Sequence, residues 1–181
     1  MEFKSGFITI VGKPNVGKST LINRMTGEKI SIVTDKCQTT RNAIKAIITG
    51  DNYQMIFIDT PGIIKPKNML DEYMVKTALN SLVGVDVALL MVEGTHVYPN
   101  KEEIEIMEQL KRTRVPVFLV INKIDIAKRE DVLKLIPGYE KHLQFSKVIT
   151  VSALTGEGTD TLLKEIEMHL PAGPKYFPDD T

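Results

Sequence analysis

A single cysteine, Cys37, stands in a chain of 181 residues, so an internal disulfide framework and a cysteine-built zinc site are both excluded. A lone thiol suits a reducing compartment, and an incidental side chain is enough to account for it. No apolar run approaches the roughly 20 residues that cross a bilayer as a helix, and the N-terminus carries no apolar signal region. Charge of one sign is not in excess either. Lys+Arg and Asp+Glu both total 23, which leaves no whole-chain electrostatic footprint for nucleic acid or an acidic membrane and only a local basic face open. His96, His142 and His169 lack metal-ligand spacing and read as ordinary surface or partly buried side chains. With no internal repeat and no low-complexity tract, the length fits one domain able to bury a substantial core, and the default location is cytoplasmic.

What is present begins at Gly12. Gly12-Lys13-Pro14-Asn15-Val16-Gly17-Lys18-Ser19 matches G-x-x-x-x-G-K-[ST], between the apolar run Phe7 to Val11 and a helix-like run from Thr20. That strand-loop-helix context is what a phosphate-binding loop requires. Glycines let consecutive backbone N–H groups turn toward one point, the helix N-terminus adds partial positive charge, Lys18 supplies a full charge, and the Ser19 hydroxyl can ligate Mg2+. Gly12, Asn15, Val16, Gly17, Lys18, Ser19 and Thr20 are therefore the candidate phosphate cradle. A plain glycine turn is the competing reading of the loop alone.

Apolar periodicity predicts the remaining elements. A helix is expected over Lys18 to Thr26 with Gly27 as its stop. Residues 28 to 41 are polar and lack a period, which suits a loop over the phosphates. Ile44 to Thr49 and Tyr53 to Ile58, separated by Gly50-Asp51-Asn52, predict an antiparallel pair. Leu70 to Leu82 has helical spacing. Val85 to Val92 reads as a strand buried on both faces, Lys101 to Arg112 as a helix, and Val117 to Ile121 as another buried strand. A helical patch from Glu130 to Leu135 should stop at Pro137-Gly138, with a second short one over Tyr139 to Leu143. Val148 to Val151 and Asp160 to Leu170 complete the pattern. Alternating strands and helices predict an α/β fold, a mostly parallel six-stranded sheet with one antiparallel strand and helices on both faces, binding its ligand at the carboxyl ends of the strands. Pro171 onward reads as an extended tail without packing, so the domain is placed at residues 1–173 and a linker at 174–181.

Three further signals fall at those strand ends. Asp59-Thr60-Pro61-Gly62 closes a strand where a phosphate-loop enzyme needs a carboxylate for Mg2+, directly or through water, and where the Gly62 N–H can meet a terminal phosphate. Asn122-Lys123-Ile124-Asp125 follows a buried strand. The Asp125 carboxylate can accept from the adjacent N1–H and 2-amino group of guanine, whereas adenine presents an acceptor there. The stem of Lys123 can lie on the base, and Asn122 can tie this loop to the phosphate loop. Val151-Ser152-Ala153 would finish the pocket, with the Ala153 N–H directed at the guanine oxygen. Each tetrapeptide alone is a common turn; their order across successive strand ends makes the ligand a guanine nucleotide.

With these residues in hand the chain resembles the bacterial Era family of GTPases over residues 5 to about 178. The marks are the phosphate loop, Gln38-Thr39-Thr40-Arg41, Asp59-Thr60-Pro61-Gly62, Asn122 to Asp125, and the closing Leu170-Pro-Ala-Gly-Pro and Tyr176-Phe-Pro. The resemblance implies a Ras-like P-loop G domain that hydrolyses GTP to GDP and phosphate with Mg2+ as a molecular switch in assembly of the small ribosomal subunit on 16S rRNA. It implies a cytoplasmic protein with peripheral association at the inner face of the cell membrane. It makes Thr40 an Mg2+ ligand alongside Ser19 and Asp59, and puts Lys18, Thr40, Gly62 and Asn15 in the catalytic set. Ile63 stands where many Ras-like enzymes carry a water-orienting glutamine. Asn15 is then a candidate for a K+ site beside the phosphates, as in related GTPases. Era proteins continue into an RNA-binding KH domain, and no G-x-x-G motif of that kind occurs in this chain; an isolated G domain is the expectation. Other readings stay open: a sister family of the TrmE/Era group sharing Thr39-Thr40-Arg41, a nucleotide-gated binding module with negligible hydrolysis, and an ATP-dependent kinase, against which Asn122 to Asp125 argues.

Overall fold

The apolar runs of the sequence assemble into one six-stranded sheet in a computed structural model, which describes residues 2–13, 16–27, 44–58 and 84–178. The strands are β1 (Lys4–Val11), β2 (Ile44–Thr49), β3 (Tyr53–Ile58), β4 (Val87–Glu93), β5 (Val117–Asn122) and β6 (Lys147–Thr150), and the helices among the described residues are α1 (Lys18–Thr26), α2 (Lys101–Lys111), α3 (Arg129–Glu140) and α4 (Thr159–His169). Their order across the sheet is β2-β3-β1-β4-β5-β6. Only β2 and β3 pair antiparallel, as the turn between them predicts, and the other neighbours run parallel. Parallel pairing brings the carboxyl ends of β1, β3, β4, β5 and β6 to one edge.

Strand β4 shows why both faces must be covered. Its side chains alternate sides with period two. Val87, Leu89 and Met91 pack in a cluster with Leu21, Ile22 and Met25 of α1 and Leu162 and Ile166 of α4. Ala88, Leu90 and Val92 pack in a second cluster with Ile106, Met107 and Leu110 of α2 and Val132, Leu135 and Tyr139 of α3. No side of such a strand tolerates water, so the near-continuous apolar run is itself the evidence for two helical layers.

One buried polar linkage ties the second layer together. Asn100 caps α2: its Oδ1 accepts from the Glu103 N–H at 2.8 Å, and the Asn100 N–H donates back to Glu103 Oε1 at 3.1 Å. This reciprocal arrangement satisfies two backbone donors. The second carboxylate oxygen of Glu103 accepts from the hydroxyl of Tyr139 on α3 at 2.8 Å, where both residues are buried. Burial, with the charge and hydrogen bond of Glu103, pushes the Tyr139 phenol well above its ordinary range, so it acts here as a donor and nothing else.

Two expectations are corrected. Pro137-Gly138 does not end a helix; α3 runs through it as one element to Glu140. Proline removes a single hydrogen bond, to the carbonyl of Leu133. Leu133 is exposed, so solvent can satisfy that oxygen, while Leu135 and Tyr139 on either side of the proline are fully buried and hold both halves to the core. Nor is the segment after α4 an unpacked tail. Ser5 N–H donates to Pro171 O at 3.2 Å, Gly173 N–H donates to Phe3 O at 3.0 Å, and Lys4 bridges Ala172. Gln54 then acts as a surrogate strand: Nε2 donates to Phe177 O at 2.9 Å and Oε1 accepts from Phe177 N–H at 3.1 Å. The rings of Phe7 and Tyr176 lie 5.4 Å apart. A buried Gln54 needs partners for both ends of its amide, and the extended tail provides them. The predicted helix over residues 70–82 and loop over 28–41 lie outside the described residues.

Replacing Tyr139 by phenylalanine leaves the buried Glu103 oxygen without its donor. The expected loss is about 1–3 kcal/mol of unfolding free energy, read as a lower urea midpoint at unchanged slope; an unaltered midpoint would show the linkage contributes nothing.

Candidate functional site

At the carboxyl end of β1 the chain turns sharply at Gly12, where an added Cβ would sit 2.6 Å from the carbonyl oxygen of Met91 on the neighbouring strand. Gly17 closes the loop in the left-handed region at φ 105° and is the N-cap of α1. A Cβ there would run into Asn122 Nδ2. The two motif glycines are thus required for two different close approaches, one to a strand backbone and one to a side chain. Leu21 N–H donates to Gly17 O at 2.9 Å and starts the helix. The first turn of α1 carries no acidic side chain, so the positive end of the helix dipole faces an incoming anion unopposed. Lys18 Nζ reaches back to Gly12 O at 2.7 Å, which lays its ammonium along the loop. Val16 is buried beneath, and Ser19 and Thr20 are exposed at the helix head.

The ends of β5 and β6 meet this loop through one side chain. Asn122 is 3% exposed; its Nδ2 donates to Val16 O at 2.9 Å and its Oδ1 accepts from the Ala153 N–H at 2.9 Å. The first contact is the tie between loops read from the sequence. The second engages the N–H that the sequence reading directs at a guanine oxygen: it braces Asn122, because a buried amide oxygen must find a donor. Asp125 is oriented by Ser152, whose Oγ donates to Oδ1 at 2.9 Å and in turn accepts from the Thr155 N–H at 3.1 Å. Asp125 itself is exposed, so a carboxylate held at one oxygen by Ser152 stays accessible to a ligand.

Two residues that the sequence reading passed over, Glu93 and Arg24, belong to this site. Glu93, the last residue of β4, accepts from Lys123 Nζ at 2.8 Å, and its other oxygen lies 3.2 Å from His96 Nδ1. Burial raises the Glu93 carboxyl, but the Lys123 hydrogen bond and charge, with Lys13 and His96, outweigh it and hold the group below the ordinary carboxylate range. Lys123 sits at φ 66°, uncommon for a residue with a side chain. Arg24, in the last turn of α1, donates from Nε to Ala153 O at 3.3 Å and from Nη2 to Leu154 O, clamping the loop after β6 onto the phosphate-loop helix. The signal for Glu93 was available: a carboxylate that closes an apolar run in the sequence, as Asp59 does. Arg24 gave no signal, since an arginine in the last turn of a helix is ordinary dipole compensation. Asn15, Thr39, Thr40, Asp59, Gly62 and Ile63 lie outside the described residues. Among the described residues no group of three or more His, Cys, Asp or Glu side chains is placed to hold a metal.

Proteins of known family are similar to this chain over most of its length. A family profile described as 50S ribosome-binding GTPase matches residues 7–123. The GTPase Era of Clostridium acetobutylicum is 50% identical over 178 residues, 98% of this chain and 60% of that protein, and the GTPase Era of Clostridium perfringens is 51% identical over 178 residues with the same coverage. The chain therefore spans about 60% of the length of these relatives. Among solved structures, Era in complex with MgGDPNP and nucleotides 1506–1542 of 16S ribosomal RNA superposes with a TM-score of 0.79 at 42% identity, covering 99% of this chain and 61% of that one. The G domain of the Thermotoga maritima (T. maritima) FeoB iron transporter gives a TM-score of 0.65 at 26% identity, covering 91% and 98%.

Asn122→Ala removes the partners of two buried backbone groups at once. The expected cost is about 2–4 kcal/mol, measured by urea unfolding, together with faster hydrogen exchange at the Ala153 amide; exchange as slow as in the wild type would mean another acceptor holds that N–H. For Glu93, a folded-state pKa below the ordinary value of 4.5 means that the stabilisation is complete above that pH and is lost as pH falls through the depressed folded value. The melting temperature of the wild type should exceed that of Glu93→Gln above about pH 5, with the gap closing under acid; a gap that widens under acid would reverse the sign of the shift.

Proposed function

The chain belongs to the 50S ribosome-binding GTPase family and is a homologue of the GTPase Era, and on that premise we propose that it binds GTP across the loops after β1, β5 and β6, hydrolyses it to GDP and phosphate, and works as a switch in small ribosomal subunit assembly. The observation that carries the guanine assignment is the preset Asp125 carboxylate, fixed by Ser152 and tied through Asn122 to the phosphate loop. A rigid pair of acceptor oxygens meets the two adjacent donors of guanine and repels the ring acceptor of adenine. Gly12, Val16, Gly17, Lys18, Ser19 and Thr20 receive the phosphates, with Asn15 in the same loop.

Ser19 supplies a hydroxyl at the exposed head of α1, suited to Mg2+, and the proposal completes that ion's ligands with Thr40 and Asp59. The ion, when bound, neutralises charge on the phosphate oxygens. Lys18 supplies the fixed protein cation, and Gly62 offers an N–H to the terminal phosphate. The side chain of isoleucine at position 63 has no group that can hydrogen-bond a water. Extra positive charge must therefore reach the transition state by another route, and the proposal gives that role to K+ held by Asn15. Ile63 also favours a second reading, a nucleotide-gated binding module with negligible turnover; a measured rate without any partner separates the two.

The homologue solved with a 16S rRNA fragment is the ground for proposing the small ribosomal subunit as partner. Nucleotide sensing is placed in the residues of this chain, and the main RNA contact in a KH domain such as the family carries. No helix among the described residues is long and apolar enough to cross a membrane; the proposed location is the cytoplasm, with peripheral association at the membrane.

Competition against a fluescent-labelled guanine nucleotide should place ATP weaker than GTP by on the order of 10^4-fold; equal competition would end the guanine assignment. Turnover should be faster in KCl than in NaCl at equal ionic strength, by about tenfold or more for one well-placed charge, and Asn15→Ala should abolish the difference. Equal rates in the two salts would remove K+ from the mechanism.

A further inference from the structure

Glu93 is an unexpected neighbour for a polyanion site. It ends β4 in register with Asn122, and the Gly94 N–H that follows donates to Asn122 O at 2.8 Å. The backbone of the two loops is thereby locked at one point. Directly beyond it, Lys123 is fixed at φ 66°, and its carbonyl accepts from Ile126 and Ala127 N–H at 3.1 and 3.0 Å. The Lys123 ammonium is fixed too, 2.8 Å from Glu93 Oε1, with the Glu93 side chain only 12% exposed and that of Lys123 35% exposed. A lysine stem ordinarily samples many rotamers. Here both of its ends are held.

We propose that Glu93 is a positioning residue for nucleotide binding: by anchoring the Lys123 ammonium it fixes the lysine stem as a floor for the purine ring. This rests on the guanine-nucleotide reading above and divides two lysines by role. Lys18, whose ammonium lies on the phosphate loop, is the cation for the phosphates. Lys123 has its charge balanced by Glu93, so it works through its methylenes, which snorkel under an apolar surface while the charged head stays paired. Glu93 contributes no ligand contact of its own. Its effect on binding passes entirely through Lys123.

A double-mutant cycle on release of N-methylanthraniloyl GDP tests this. Glu93→Ala should release the nucleotide about tenfold faster than the wild type, a typical size for coupling between residues in direct contact. In a Lys123→Ala background the same substitution should change release by less than about twofold. Glu93→Gln, which keeps a hydrogen-bond acceptor without the charge, should fall between, and it carries the cycle if the alanine variant does not fold. The ratio of GDP to IDP release rates should stay at the wild-type value, because Asp125 still reads the 2-amino group that IDP lacks. Unchanged release in the Glu93 variants, or the same acceleration with and without Lys123, would overturn the proposal. A wild-type chain that fails to bind the labelled GDP would instead overturn the nucleotide reading itself.

Discussion

The amide of Asn122 is the joint on which the site depends. It contacts Val16, 106 positions earlier, and Ala153, 31 positions later, so one side chain joins the loops after three strands. The chemistry requires an amide. Val16 offers a carbonyl and Ala153 an N–H, and only a group with a donor and an acceptor in one plane satisfies both. An aspartate of the same shape would set an oxygen against the Val16 carbonyl. The requirement extends to the neighbour: Gly17 must lack a Cβ because Asn122 Nδ2 occupies that space. The second glycine of the phosphate motif is therefore a condition for assembling the base pocket as well as for turning the loop.

A joint of this kind works only if the strand ends are level, and the two-sided core makes them so. Glu93 stands opposite Asn122, and Ile121 opposite Thr150. A slip of one residue along β5 would exchange the side chains facing α1 and α4 with those facing α2 and α3. Away from the site, side chains take over where backbone pairing runs out. Asp86 accepts from the Phe7 N–H through Oδ2 at 2.8 Å and donates its own N–H to Phe7 O at 2.8 Å, and Gln54 treats Phe177 in the same two-handed way. Each substitutes for a missing strand neighbour, and each leaves the buried backbone groups paired.

Sequence patterning revealed the sheet because β4 and β5 are apolar on both faces and the motifs punctuate their ends. It revealed the Asn122 tie because the two motifs joined by it are each short, contiguous segments at strand ends, but not the hydrogen bond from Ser152 that orients Asp125. It did not reveal what long-range packing decides. Pro137 has the local chemistry of a helix stop, yet the burial of Leu135 and Tyr139 overrides a single lost hydrogen bond. The tail after Leu170 has the composition of a linker, yet buried Gln54, more than a hundred positions away, is a partner for it. Arg24 reaches the loop after β6 across 129 positions. No window of adjacent residues contains that information.

The distribution of cations bears on how such a site would complete its chemistry. Among the described residues, Lys13, Lys18 and Lys123 lie on the phosphate and base loops. Lys123 is balanced by Glu93, and the same carboxylate draws on the charge of Lys13. Lys18 is the one whose ammonium lies along the phosphate loop. A hydrolytic transition state concentrates negative charge at the terminal phosphate, and a water there gains nothing from the isoleucine at position 63. On the proposed reading, the lysines of this site are already divided between base and phosphate, with Lys123 committed to the base. The proposal draws the additional positive charge at the terminal phosphate from a monovalent cation held by Asn15, which would add to Lys18 without taking Lys123 from the base.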